Sequence, residues 1–282
     1  MKYNKKAMGT MRRVLVIVAF ILFCAVIITP VLADPNDSSN QYITRSYDYV
    51  LDGRQGTLSL ALSTELEDDY LIKKPEWDIK DNASYFLSYM NDPAQKQYIK
   101  TLADEIREET GNPDDQARIA ASLVQHITYE KGTKYRYPYE VLYQSNGVCG
   151  EKSMLIAALF KELGFKSAVL YFVPENHMAA GISCPAPYDF KGSGYCIIEA
   201  THPYIITDET AFWTNSRQAD WSMPEVIGTS EGRSLDSSDN DYNDARTWIN
   251  LKLENYATRE AGITLSSEDY QRWYQIKGKY DL

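Results

Sequence analysis

The sequence predicts an α+β protein, with its helices segregated from an antiparallel sheet. Three observations lead to this class. Residues 149–163 carry apolar side chains at helical spacing and stop at Gly164. Three short runs follow: SAVLYFV (167–173), which is β-branched and aromatic, then MAAGISC (178–184) and YCIIEAT (195–201), which bracket a Pro- and Gly-containing loop. Ahead of them, Asp92-Pro93 and Asn112-Pro113 each join an N-cap residue to a first-turn proline.

The elements follow in order. Met1–Arg13 holds five bases and no acid, and Val14–Ala33 is twenty residues without a charge. A membrane anchor needs about 20 apolar residues, and a secretory signal ends in small residues, as Val31-Leu32-Ala33 does. Pro30, just before them, favours cleavage. Either reading puts Asp34 onward outside the cytoplasm, because the positive end stays inside. Residues 34–43 read as a linker. TRSYDYVL (44–51) and TLSLALS (57–63) alternate around Asp52-Gly53, so a β-hairpin opens the region 44–110. The two capped segments predict helices to about Glu109 and through Ile127; the second has Ile119, Leu123 and Ile127 on its apolar face.

KYRYPYEVLYQ (134–144) reads as a loop. The helix from Cys149 buries a stripe of Leu155, Ala158, Leu159 and Leu163 and ends at Gly164. The runs at 178–184 and 195–201 bracket a Pro- and Gly-containing loop, so they pair antiparallel. Residues 111–204 form the core region. The extension 205–282 holds helices at 243–256 and 267–277.

The chain has 282 residues, with a net charge of −10 that becomes −15 once residues 1–33 and their five bases are removed. No basic block follows Arg13, which argues against nucleic acid as a partner. With only three histidines and no CxxC, HxH or HExxH pattern, no metal site and no cofactor is expected.

The chemistry centres on Cys149. A thiol at a helix start lies where partial positive charge favours thiolate. A nucleophilic cysteine needs a base, and the base needs an orienting group. His126 shares the apolar helix face with Ile119 and Leu123, which is the ordinary place for a half-buried histidine. His202 precedes Pro203 in a loop. His177, in PENHMAAGI at the entry to a strand, is the favoured base. Glu199 lies among Ile197, Ile198 and Ala200; on an edge strand it reads as an exposed-face residue, and beside His177 as its orienter. Asp189 and Asp208 are loop alternatives.

These residues carry a family resemblance. RYPYEVLYQSNGVCGEKSMLIAALFKELGFKSAVLYF, then NHMAAGI, then YCIIEATHP, resembles the transglutaminase-like superfamily over residues 115–204. The hairpin and YPYEVL resemble archaeal and bacterial members. The resemblance implies a papain-like fold and a Cys–His–Asp triad. Cys149 then matches the nucleophile and His177 the base, while Glu199 stands where the family usually has Asp. The Cys149 N–H is an expected oxyanion donor, with Gln144 or Tyr137 as the second.

Cys184 lies seven residues after His177, and Cys196 three before Glu199. Odd spacing on strands puts both on the face opposite those two residues. A Cys184–Cys196 disulfide would leave Cys149 free. Placing His177 directly opposite Glu199, however, pairs Cys184 with Gly192, so both arrangements stay open.

Two functions follow. One is thioester-forming acyl transfer on a protein or peptide amide of the cell envelope, by a secreted or membrane-anchored enzyme. The short loop 185–194 offers little lid, so hydrolysis is expected over cross-linking; the competing reading has Tyr129, Tyr135, Tyr137, Tyr139 and Tyr143 as the walls of an amine tunnel. The other is a non-catalytic binding or scaffold module on the same fold.

Overall fold

The structure, a computed structural model, describes residues 41–76, 81–131, 135–210, 221–260 and 264–282. The basic start, the apolar run, the Val31–Ala33 cleavage site and the body of the linker lie outside the described residues. Among those described, no helix is long and apolar enough to cross a membrane.

Strands β1 (Tyr42–Leu51) and β2 (Arg54–Ser63) form the expected hairpin. Asp52 and Gly53 both have positive φ, 49° and 74°, which suits a turn matched to strand twist. The register sets Tyr47 against Leu58 and Tyr49 against Gly56. Gly56 is required there, since a Cβ would lie 2.2 Å from the Tyr49 ring. One face of the hairpin buries Tyr47, Tyr49, Leu58, Leu60 and Leu62.

Helices α1 (Thr64–Ile72) and α2 (Asn82–Met90) follow, started by the side chains of Ser63 and Asp81. Neither helix was expected from the sequence. Asp92 caps a short 3₁₀ turn that leads into α3 (Lys96–Glu109). Asn112 caps α4 (Pro113–His126), as expected of an Asn-Pro start. A two-residue strand β3 (Thr128–Tyr129) comes next.

The expected loop 134–144 is corrected here. Its second half, Pro138–Gln144, is helix α5. Pro138 occupies the first turn, and the Glu140 carboxylate accepts the Tyr137 N–H at 2.8 Å. The run of tyrosines hid a short helix that has its own start signals.

Strand β4 (Asn146–Gly147) pairs in parallel with β3 and leads into α6 (Cys149–Leu163). Helix α6 ends at Gly164 with φ of 89°. Its burial extends well beyond one stripe: every residue from Gly150 to Phe160 is buried. The helix is enclosed by α3, α4 and α5 and by the sheet. That sheet runs β7-β6-β5-β8, from β5 (Ser167–Phe172), β6 (His177–Ser183), β7 (Tyr195–Ile198) and β8 (Glu225–Ser230). All its pairings are antiparallel, so the α+β class holds.

Met178, Ala180, Ile182 and Ile198 face the main core with α6. Ala179, Tyr195 and Ile197 face a second, smaller cluster with Phe172 and Phe190. Helices α7 (Ser238–Glu260) and α8 (Ser267–Tyr280) are longer than expected. Their tryptophans Trp248 and Trp273 meet at 4.4 Å, and Arg118 of α4 holds Asp241 of α7 at 2.8 Å.

Candidate functional site

Three chain ends converge at one edge of the sheet: the start of α6, the start of β6 and the exit of β7. Cys149 opens α6 and is half-buried. The loop before it turns through Ser145, at φ 53°, and runs past Tyr129 on β3. At the helix start, Glu151 accepts the Val148 N–H at 3.0 Å and the Arg136 N–H at 3.0 Å. Arg136 in turn lies 3.0 Å from the Glu151 carboxylate and also donates to the carbonyls of Glu130 and Asn146. The loop carrying the thiol is thus held from below by a buried ion pair.

Gly150 brings the helix close to β6. A Cβ there would lie 2.8 Å from the Met178 sulfur and 3.2 Å from the Tyr135 hydroxyl. Ser153 adds a hydrogen bond to the Met178 carbonyl at 3.3 Å. These contacts set Cys149 beside His177, the first residue of β6.

His177 Nε2 meets Glu199 Oε2 at 2.9 Å, and the ring also hydrogen-bonds the Cys149 thiol. Trp221 packs edge-on against the imidazole at 5.4 Å. Burial alone would lower the basicity of His177, but hydrogen bonds to Cys149 and Glu199, with their charges, carry its pKa up to about 9. Glu199 is 1% exposed. Burial favours its neutral form, yet His177 and Thr201 hold its pKa below the ordinary carboxylate value. The Thr201 N–H donates to Glu199 Oε1 at 2.8 Å.

The register explains how the cysteines meet. Ala180 pairs with Ile198 and Ile182 with Cys196. Continued one step, Glu199 falls opposite Ala179, two residues from His177. The direct pairing of His177 with Glu199, which would have set Cys184 against Gly192, is therefore not formed. Cys184 and Cys196 lie on one face, diagonal across the pair, and form a disulfide with Cα atoms 5.7 Å apart. Cys149 is the free thiol.

Other candidates lie elsewhere. Gln144 donates to Glu67 at 2.6 Å and accepts from Arg136 at 3.2 Å. Tyr137 stacks on Tyr70 with ring centres 4.0 Å apart. Gln144 is thus engaged with other groups, and the Tyr137 ring is held in a stack. Burial, and after it the charge of Cys149, raises the pKa of both Tyr135 and Tyr129. His126 bonds within its own helix and to Asp281 at 3.2 Å, and His202 sits 6.4 Å from the Tyr129 ring. Asp189 holds the Gly194 N–H and Asp208 the Thr210 N–H, each at 2.8 Å. Among the described residues, no group of three or more His, Cys, Asp or Glu is placed to hold a metal ion.

Loop 185–194, weighed above as a lid, lies at the other end of β6 and β7 from His177 and Glu199. Its Tyr188 packs against Tyr242 of α7.

Residues 100–203 match the family model of the transglutaminase-like superfamily. The chain carries a transglutaminase-like domain. The match begins within α3, before the stretch 115–204 over which the motifs were read, and it spans Cys149, His177 and Glu199. A search of curated proteins finds no match to the chain. The domain supports a papain-like cysteine architecture, a family in which acyl-transfer enzymes are common and some members are inactive.

Proposed function

We propose that this protein is a cysteine acyl-transfer enzyme that hydrolyses peptide or protein amides outside the cytoplasm. The observation that carries the reading is the ordered contact of thiol, imidazole and carboxylate: Cys149 to His177, and His177 to Glu199 at 2.9 Å. His177 takes the thiol proton, and the Cys149 sulfur attacks the amide carbonyl carbon. Helix α6 starts at that residue, so the unsatisfied Cys149 N–H faces the developing oxyanion. Tyr135 replaces Tyr137 as the side-chain donor in this reading, because its hydroxyl lies beside Gly150. The imidazolium returns its proton to the leaving amine, and a thioester remains. Water, deprotonated by His177, then releases the acid and the free thiol.

Hydrolysis is favoured over amine transfer because the described residues leave the thiol side partly exposed. Tyr129 is 45% exposed beside the thiol, and loop 185–194 is far away. A site that guides an amine and excludes water needs walls there. The disulfide and the charge-free run 14–33 support an oxidising compartment and a secreted or membrane-anchored enzyme acting on the cell envelope.

The test combines iodoacetamide labelling with a peptide library. Cys149 is expected to label faster than a free thiol peptide at neutral pH, and His177→Ala to slow it. With amide peptides and excess labelled amine, cleavage or deamidation is expected to outrun label incorporation. The reverse order would make the protein a cross-linking enzyme. A slow thiol with no turnover of either kind would leave a non-catalytic module.

A further inference from the structure

Helix α6 carries a lysine where burial is most costly. Lys152 is 0% exposed, one turn beyond Cys149. Its stem passes beneath β4, with Cγ 3.2 Å from where a Gly147 Cβ would lie. Its ammonium has three donors, and three backbone carbonyls take them: Gln125 at 3.2 Å, Ile127 at 2.6 Å and Thr201 at 3.2 Å. Two of these belong to the C-terminal end of α4, where a cation is favoured by the helix dipole. The third belongs to the turn that presents the acid. A lysine held only by carbonyls from two separated chain segments acts as a tie between them.

The same turn is held at a second point. Gln125 Nε2 donates to the Glu199 carbonyl at 2.7 Å and to the Tyr204 carbonyl at 3.1 Å. Residues 199–201 are therefore fixed at Glu199 by the Gln125 side chain and at Thr201 by Lys152. Between those points the Thr201 N–H grips the carboxylate that meets His177.

We infer that Lys152 is a positioning residue, which ties the nucleophile helix to the 199–201 turn and so holds Glu199 against His177. This inference rests on the acyl-transfer reading for its purpose, although its geometry does not depend on turnover. Burial lowers the Lys152 pKa to about 8, against the raising charge of Glu199. Among the described residues, the charged and titratable groups around the triad include Cys149, Glu151 and Lys152 from α6, Arg136 and Tyr135 from the segment before α5, Glu199 after β7, Tyr129 from β3, and Tyr204 beyond the 199–201 turn.

The sign of one measurement separates positioning from simple charge. Lys152→Met removes a cation close to the triad. Through space alone, that loss would raise the His177 pKa. Loss of positioning would lower it, because the hydrogen bond and charge of Glu199 hold it high. The experiment follows the His177 ring by NMR across pH in the full chain. The expected result is a midpoint lower by about one pH unit, a tenfold change in ring basicity. In a Glu199→Gln background the same substitution should lower it no further, since both changes then act on one contact.

An unchanged or raised midpoint in Lys152→Met would overturn the inference, as would full additivity with Glu199→Gln. Lys152→Gln, which keeps two donors in the space, carries the same expected sign and serves where the Met variant does not fold. Iodoacetamide labelling of Cys149 in the unsubstituted protein judges the acyl-transfer reading separately. A slow thiol combined with a lowered midpoint would remove the enzyme and leave the tie standing. A fast thiol with an unmoved midpoint would do the opposite.

Discussion

Two carboxylates flank Cys149, and both are 1% exposed. Glu151 sits on the helix side, among the N–H groups of Val148 and Arg136 and the Arg136 guanidinium. Glu199 sits on the strand side, against His177 and Thr201. Their burial is the same and their outcomes are opposite. For Glu151, desolvation outweighs its partners and the pKa rises. For Glu199, desolvation is overcome by the imidazole and by Thr201, and the pKa falls. The lesson concerns the partner. The Arg136 guanidinium is shared among Glu151, Gln144, Asn146 and the Glu130 carbonyl, so it secures a loop. His177 is a cation only while it holds a proton, so its bond to Glu199 tunes a group that can exchange that proton.

The sharpest way to break this contrast is to neutralise each acid in turn. Glu199→Gln should leave the fold intact, since the amide still fits the site. It should lower kcat by about 10²- to 10⁴-fold with little change in KM, because an amide supports the wrong ring tautomer and no longer stabilises the imidazolium. Steady-state kinetics on a cleavable amide, with circular dichroism as the control for folding, make the measurement. A variant with full activity would move the orienting role away from Glu199.

Glu151→Gln should do the reverse. It leaves the buried Arg136 without its anion, and breaking a buried pair costs about 3 kcal/mol of stability. Urea unfolding should show that loss, while the folded fraction keeps kcat within a few-fold. If kcat instead fell as far as in Glu199→Gln, the division between a loop-securing acid and a ring-orienting one would collapse.

The two carboxylates also differ in how legible they were. Glu199 stood out because a charged residue in YCIIEAT conflicts with its neighbours, and because a base and a thiol lay upstream. Glu151 and Lys152 lie two and three residues after Cys149, and nothing local set them apart. A stripe of four apolar residues suggested one buried face, but α6 is enclosed on all sides, so its charged residues had to find partners inside. Local signals marked the hairpin, the Asn112 and Asp92 starts, the Gly164 stop and the three strands after it. Strand β8 went unseen because EVIGTS is half-exposed and pairs with β5 more than fifty residues away. Tyr135 was one of five tyrosines near the motif, and only the approach of Gly150 sets it apart from Tyr137. The β6–β7 register could not be read either, since a two-residue slip leaves every side chain on the same face.

The smallest expected effect follows the shared proton through pH. His177 has a folded pKa of about 9, above its ordinary value of 6.5. A raised base contributes stability that is fully present below 6.5 and is lost as pH rises through 9. Glu199 has the opposite sign: its lowered pKa contributes stability above the ordinary carboxylate value of 4.5, lost as pH falls. Between pH 6.5 and 8.5, above the carboxylate range, the His177 contribution is the one that is lost. Over that window, urea unfolding should show a loss of about 2 kcal/mol from this one group. Lys152, pulled down to about 8, works against that loss at the upper end, because above 8 the unfolded chain binds the extra proton. Glu199→Gln retains Lys152 and weakens the hold on His177. The informative quantity is thus the difference between the two proteins: the unsubstituted chain should lose more stability across the window than Glu199→Gln does. Glu151→Gln, less stable throughout, should keep the same slope as the unsubstituted chain, since it leaves the His177–Glu199 contact in place. Parallel curves for the unsubstituted chain and Glu199→Gln would mean that Glu199 does not hold the imidazolium. The contrast between the two acids would then reduce to two ordinary buried pairs.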